Sequence, residues 1–326
     1  MKISHDAPGY RGDFELIEKA IAGNIRSISR LITRVERGDE SVREILRELW
    51  PLTGRALIIG ITGPPGAGKS TLTDRLAKLY RETGKRVGII AVDPTSPFTG
   101  GAILGDRVRM SDLTLDDGVY IRSMGTRGQL GGLSAACAGA VNVLDACGYD
   151  RIIIETVGVG QSEIAVMDVA DIVVVVSVPG LGDDVQTLKS GILEIGDIFA
   201  VNKADRPGAE RVAAELGSML ELDSKTILRK TQALLTSAVT GQGIAELMDS
   251  IEALFFDRSG DGTLKKRRAE RLRQEIMTMI HDEIDRKAIK PIYDSALFQK
   301  KLGEFLQHRS NPYIWAEGII GDILKV

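Results

Sequence analysis

The sequence predicts an α/β fold with a mainly parallel central sheet flanked by helices, plus helical extensions at both ends of the chain. Three observations point there. Short β-branched runs alternate with helical stretches from Ala56 to about Arg258. Those runs are continuously apolar rather than alternating, as expected of strands covered on both faces. Loops rich in glycine, asparagine or acids follow several of them, where open α/β sheets bind ligands.

In chain order, residues 1–54 read as a helical N-terminal extension. Phe14, Ile17, Ile21, Ile25, Ile28, Leu31, Ile32 and Val35 recur at helical spacing across 13–37, with arginines between them. A shorter segment carries Val42, Ile45, Leu46 and Leu49 before Pro51 closes it. The pair either packs on the main domain or presents a surface to a partner. Residues 55–258 form the α/β domain, with strands expected at 57–61, 87–92, 119–122, 151–155, 172–177, 197–201 and 233–236. A glycine-rich link at 258–263 then leads to a helical C-terminal arm, 259–326. Its segment 264–287 carries a stripe of Leu272, Ile276, Met279, Ile280 and Ile284, and a second helix is expected at 296–307, before Trp315, Ile319 and Ile320. Such a stripe stays exposed unless the arm folds back or pairs with another chain. The basic run Lys265–Arg268 has acidic neighbours and reads as a solvated helix start rather than an RNA or membrane contact.

Composition bounds the function. Across 326 residues, 43% are hydrophobic and 27% charged, the balance of a soluble globular protein. A net charge of −3 gives no basic field to recruit nucleic acid. Two cysteines, Cys137 and Cys147, are too few for a disulfide framework and fit a reducing cytoplasm. His5, His281 and His308 are too scattered to suggest a zinc or nickel site. The first residues lack a signal-peptide core, and apolar runs such as 172–178 fall far short of a membrane span. A cytoplasmic protein that neither binds nucleic acid nor enters a membrane is the expectation.

The strongest motif is Gly63-Pro64-Pro65-Gly66-Ala67-Gly68-Lys69-Ser70, which fits G-x-x-x-x-G-K-[ST] between a strand and a helix expected at 71–83. Glycines let the backbone turn so that its N–H groups cradle phosphate oxygens at a helix N-terminus. Lys69 then reaches the β- and γ-phosphates, the Ser70 hydroxyl coordinates Mg2+, and Thr71 follows in the first helical turn. The α/β domain is therefore expected to be a P-loop NTPase.

Base choice is read from Asn202-Lys203-Ala204-Asp205, directly after the strand at 197–201. In N-K-x-D the aspartate accepts guanine N1–H and N2–H, which adenine does not offer; Asn202 meets N7 and orients the loop, and the Lys203 stem lies on the ring. A site built for those donors rejects a base that leaves its carboxylate unpaired. Thr236-Ser237-Ala238 matches the segment whose backbone N–H groups meet guanine O6. GTP and GDP are the expected ligands.

The metal side is less usual. Ile152-Ile-Ile-Glu155-Thr-Val-Gly158 stands where most small GTPases carry D-x-x-G, with Glu155 at a strand end and the Gly158 N–H available to the γ-phosphate. Asp93 ends another strand in Val-Asp-Pro-Thr-Ser96. Both acids suit Mg2+ or its waters, though either can instead cap its loop. Asp106, within Gly105-Asp-Arg-Val-Arg109, falls in the first switch region, where a metal or catalytic contact is expected. The segment Val178-Pro-Gly-Leu-Gly-Asp-Asp-Val-Gln-Thr-Leu-Lys189 reads either as a plain connection or as a loop sensing nucleotide or partner. A partner that orders it would bring Gln186 or Lys189 to the γ-phosphate.

With these motifs the chain resembles the MeaB/ArgK family, G proteins that act as chaperones of adenosylcobalamin-dependent acyl-CoA mutases such as methylmalonyl-CoA mutase. The resemblance rests on the 63–71 loop, Val92–Ser96, Glu155–Ser162, Pro179–Gln186 and Asn202–Asp205. It implies that Lys69 and Ser70 bind phosphate and Mg2+, that Asp93, Asp106 and Glu155 form the metal shell, and that the 180–191 loop is an extra switch answering to the mutase. It also implies a homodimer made through C-terminal arms, and slow GTP hydrolysis that the mutase accelerates while the G protein gates cofactor loading and protects the mutase. The Glu155 form is similar to that of GTPases handling nickel and cobalt. A metallochaperone for a nickel enzyme is thus one alternative, disfavoured by the sparse Cys and His; a protein kinase is another, for which no acceptor site is evident. The animal relatives' mitochondrial presequence has no counterpart here, which favours a bacterial-type cytoplasmic protein.

Overall fold

The computed structural model describes residues 10–39, 41–93, 112–125, 130–156, 167–180, 194–222 and 232–323. Within them, strands β1 (Leu57–Thr62), β2 (Val87–Asp93), β3 (Val119–Gly125), β4 (Arg151–Thr156), β5 (Ile172–Ser177), β6 (Ile198–Val201) and β7 (Gln232–Leu235) form one sheet in the order β3-β2-β4-β1-β5-β6-β7. All pairings are parallel. All seven strands expected from the apolar runs are present.

The pleat divides each strand between two cores. Leu57, Ile59 and Ile61 of β1 join one core with α4 (Lys69–Glu82) and α7 (Ile244–Gly260). Ile58 joins the other, with α1 (Tyr10–Ile21), α2 (Ile25–Arg37), α3 (Val42–Leu49), α5 (Leu130–Ala146) and α6 (Ala209–Leu222). Each fully buried isoleucine or leucine contributes about 1.5–3 kcal/mol, so this two-faced burial is what holds β1 at the centre of the sheet. Cys137 and Cys147 lie in the second core, where burial pushes both thiols up to about 12.

The N-terminal extension differs in one respect from its apolar period, which runs on from 13 to 37. The chain breaks at Gly23, whose φ is 88°, and Asn24 caps a new helix by accepting from Ser27 N at 2.9 Å. Ile28, Leu31, Ile32 and Val35 of α2 then bury in the core shared with α5. The approach is close: a Cβ on Gly139 would lie 2.6 Å from Val35 Cγ1. Arg122 of β3 adds a bidentate pair with Glu36, its Nε donating to Oε1 at 2.8 Å. The extension packs on the sheet domain.

At the amino ends of the strands, buried acids hold strand starts. Asp171 accepts from Ile58 N at 3.1 Å, and Asp197 from Val173 N at 2.8 Å. Arg258 of α7, itself buried, donates to Asp171 O at 3.1 Å and to Asp197 Oδ1 at 2.6 Å; Arg267 adds a 3.0 Å bond to Asp197 Oδ2. Anchored in this way, α7 continues through Ser259 and Gly260, where the sequence suggests a flexible link, and only Asp261 and Gly262 separate it from α8 (Thr263–Ile284).

By packing, the chain divides into units Met1–Arg267 and Arg268–Val326. The second unit contains most of α8, a π-helical turn Asp285–Ile289, a short helix Lys290–Tyr293, α9 (Ala296–Leu306) and α10 (Pro312–Ile323). An aromatic group of Tyr293, Phe298, Phe305 and Trp315, with ring centroids 5.3–5.8 Å apart, joins α9 to α10. Ile276, Met279, Ile280 and Ile284 of the stripe in α8 are exposed. No helix among the described residues is long and apolar enough to cross a membrane.

Candidate nucleotide-binding site

The loop after β1 turns into α4 at Lys69, two residues earlier than expected. Its glycines are dictated by space as well as by φ. At Gly63 (φ 146°) a Cβ would lie 2.2 Å from Val176 O of neighbouring β5, and at Gly68 (φ 87°) it would lie 2.5 Å from Asn202 Nδ2. Gly66 also has a positive φ of 76°. Lys69 is buried and curls back over the loop, its Nζ donating to Gly63 O at 2.9 Å and Pro64 O at 3.0 Å. The ammonium is therefore held against the loop's own carbonyls, while Pro65 and Gly66 remain exposed and Thr71 lies on the open side of α4.

Ser70 Oγ donates to Glu155 Oε1 at 2.5 Å. Glu155 is buried in β4, level with Ile61 of β1, so the loop's hydroxyl and the Glu155 carboxylate meet at the ends of adjacent strands. A hydroxyl beside a carboxylate is a pair of hard oxygen donors, the type that suits Mg2+. The backbone of Asp93 ends β2 opposite Gly125, two positions beyond Ala91, which is level with Glu155. The side chain of Asp93, and Asp106, Gly158, Gln186 and Lys189 altogether, lie outside the described residues.

The N-K-x-D loop follows β6 and lies against the phosphate loop. Asn202 is buried and bridges two loops: Nδ2 donates to Ala67 O at 2.8 Å, and Oδ1 accepts from Ala238 N at 3.0 Å. Lys203 adopts a left-handed φ of 59°, strain of a kind that clusters at ligand sites. Its Nζ reaches Gly66 O at 2.7 Å. Asp205 accepts from Ser237 Oγ at 2.6 Å, and this bond holds its carboxyl below the ordinary aspartate value. The sites expected from the two motifs and from Ser237 and Ala238 thus gather at the carboxyl ends of β1, β6 and β7. One participant was not anticipated: Arg75 of α4 donates Nε to Ala238 O at 3.0 Å and Nη2 to Val239 O at 3.1 Å. An arginine five residues past a phosphate loop carries no local signal of such a contact.

Residues 28–291 match the family described as Methylmalonyl Co-A mutase-associated GTPase MeaB. The chain belongs to the MeaB family. Its relatives include a Pyrococcus abyssi protein with GTPase in its name, 49% identical over 315 residues that cover 95% of this chain and 96% of that one. GTPase ArgK of Escherichia coli is 33% identical over 280 residues, covering 83% and 84%. The solved structure titled LAO/AO transport system kinase superposes with a TM-score of 0.71 at 23% identity, covering 99% of this chain and all of that one, a likeness of fold. MeaB-family membership carries guanine-nucleotide binding and, at the level of the family, GTP hydrolysis.

Proposed function

We propose that this MeaB-family chain is a Mg2+-dependent GTPase that gates adenosylcobalamin loading of an acyl-CoA mutase of the methylmalonyl-CoA mutase type and protects that enzyme. The observation that carries the reading is the match of residues 28–291 to a family described as mutase-associated. We further assign the cytoplasm as its place of action, and a homodimer formed through the exposed stripe of α8 in the 259–326 arm.

In this reading the backbone N–H groups of 63–70 surround the phosphates, and Lys69 exchanges its bonds to Gly63 O and Pro64 O for β- and γ-phosphate oxygens. Ser70 and Glu155 would hold Mg2+, with Asp93 and Asp106 completing the shell; the ion would neutralise charge on the phosphates. Asp205, whose carboxyl the Ser237 hydroxyl holds below the ordinary aspartate value, accepts the two guanine N–H groups. Asn202 keeps that loop in register with the phosphate loop.

Asp205→Asn is expected to weaken GDP by about 10–100-fold, the effect of losing hydrogen bonds to a charged group. The same change improves xanthosine diphosphate, because the new amide donates where the carboxylate accepted. Titration of both nucleotides decides it; a variant that still prefers GDP would remove Asp205 from base recognition.

The coupling to a mutase is tested by GTP turnover with and without an adenosylcobalamin-dependent mutase. Slow intrinsic turnover is expected to rise severalfold, through the 180–191 loop, and Lys189→Ala is expected to lose most of that stimulation. Linkage requires that nucleotide state change mutase affinity by the same free energy. Full stimulation of Lys189→Ala would remove the loop from the coupling. A native chain that no such mutase binds or stimulates would overturn the mutase assignment and leave the GTPase standing.

A further inference from the structure

Arg75 stands apart from every motif that marks the site. It projects from α4, the helix that the phosphate loop opens into, and its guanidinium spans two successive carbonyls of the turn after β7: Nε to Ala238 O at 3.0 Å and Nη2 to Val239 O at 3.1 Å. We propose that Arg75 is a positioning residue for base recognition, clamping the 237–240 turn to the helix of the phosphate loop so that its backbone N–H groups face the guanine O6 edge. The proposal rests on the guanine reading of this turn.

Ala238 is held at both of its peptide groups. Its N–H donates to Asn202 Oδ1 and its carbonyl accepts from Arg75. Further bonds shape the turn from within: Ser237 N to Gln242 O at 2.9 Å, Gly241 N to Ser237 O at 2.8 Å, and Thr240 N to Ser237 Oγ at 3.3 Å. Those bonds fix its curvature, whereas Arg75 and Asn202 fix where it sits relative to the phosphate loop and α4. Apolar packing gives the outer part of the turn little support, because Val239 is 72% exposed. A planar guanidinium presents two donors in a rigid fork suited to neighbouring carbonyls, and its charge strengthens both bonds. A lysine supplies the charge at one point only. Since Arg75 is itself exposed, its removal leaves neither a cavity nor a buried unpaired charge.

The test uses the full chain and three diphosphates. GDP is compared with 6-thioguanosine diphosphate, whose sulfur accepts hydrogen bonds poorly in place of O6, and with inosine diphosphate, which keeps O6 and lacks the 2-amino group. For Arg75→Ala we expect GDP to weaken about tenfold and the penalty for the thio analogue to shrink. The penalty for inosine, which reports on Asp205, is expected to persist, with the urea midpoint of unfolding unchanged. Arg75→Lys is expected to fall between the native chain and Arg75→Ala. Unchanged GDP affinity in Arg75→Ala overturns the proposal, as does an equal loss for all three nucleotides. Native chain that binds ADP as tightly as GDP overturns the guanine reading itself, and with it the role of Arg75.

Discussion

Lys69→Ala is expected to lower GTP turnover by about 10²–10³-fold, the effect of removing one preorganised donor from developing charge. The native ammonium is buried and aimed over the loop by the Gly63 and Pro64 carbonyls, so in the proposed mechanism it would reach bound phosphate without a large rearrangement. In that mechanism its charge would act on the γ-phosphate as well as the β-phosphate, and the variant is therefore expected to weaken GTP more than GDP. Single-turnover hydrolysis at saturating GTP separates the chemical step from binding. Turnover within threefold of the native rate would exclude Lys69 from the mechanism.

The second large effect concerns stability and lies away from the nucleotide. Asp197→Ala is expected to destabilise the sheet unit by about 3–5 kcal/mol, the usual result of breaking a buried ion pair by removing one partner. Arg258 would be left buried and uncompensated, Arg267 would lose its 3.0 Å bond, and the Val173 amide would lose its acceptor. The native group also sets a pH dependence. Burial by itself would raise the Asp197 pKa, but Arg267, Arg258 and the Val173 amide together hold it below the ordinary value. Its stabilising contribution is thus complete above the unfolded aspartate value of about 4. It is lost as pH falls through the lower, folded-state value. Urea unfolding of native and variant chains at pH 7 and in the acid range reads both effects. A variant within about 1 kcal/mol of the native chain at pH 7 would show that the ion cluster does not hold the sheet together.

The seven strands and the two loops were legible because their signals are local. A continuous apolar run specifies a strand buried on both faces, and Gly63, Gly66 and Gly68 specify a backbone that other residues resist. Other features were hidden for equally physical reasons. The apolar period of the N-terminal extension runs through Gly23 and Asn24 without a phase change, so the cap that splits it into α1 and α2 is masked by the hydrophobic pattern. Ser259 and Gly260 read as a link, yet tertiary contacts of Arg258 with Asp171 and Asp197 keep them helical. Arg75 meets a turn 163 residues further along the chain, and nothing in its neighbours encodes that meeting. Distance in sequence hid this contact, whereas the glycines of the 63–70 loop carry their own local signal.

Asn202 makes the two halves of the site inseparable parts. One amide serves the 63–70 loop 135 residues away and the turn after β7 36 residues away, and Gly68 leaves room for it where any side chain would collide. The N-K-x-D segment is consequently a poor module for transplantation. A graft of 202–205 and 236–240 into another scaffold would arrive without the Ala67 carbonyl that sets its angle. Exchanging the phosphate loop alone would strand the asparagine against a foreign backbone. Recombination that respects this protein must move β1 with its loop, β6 and β7 as one cassette.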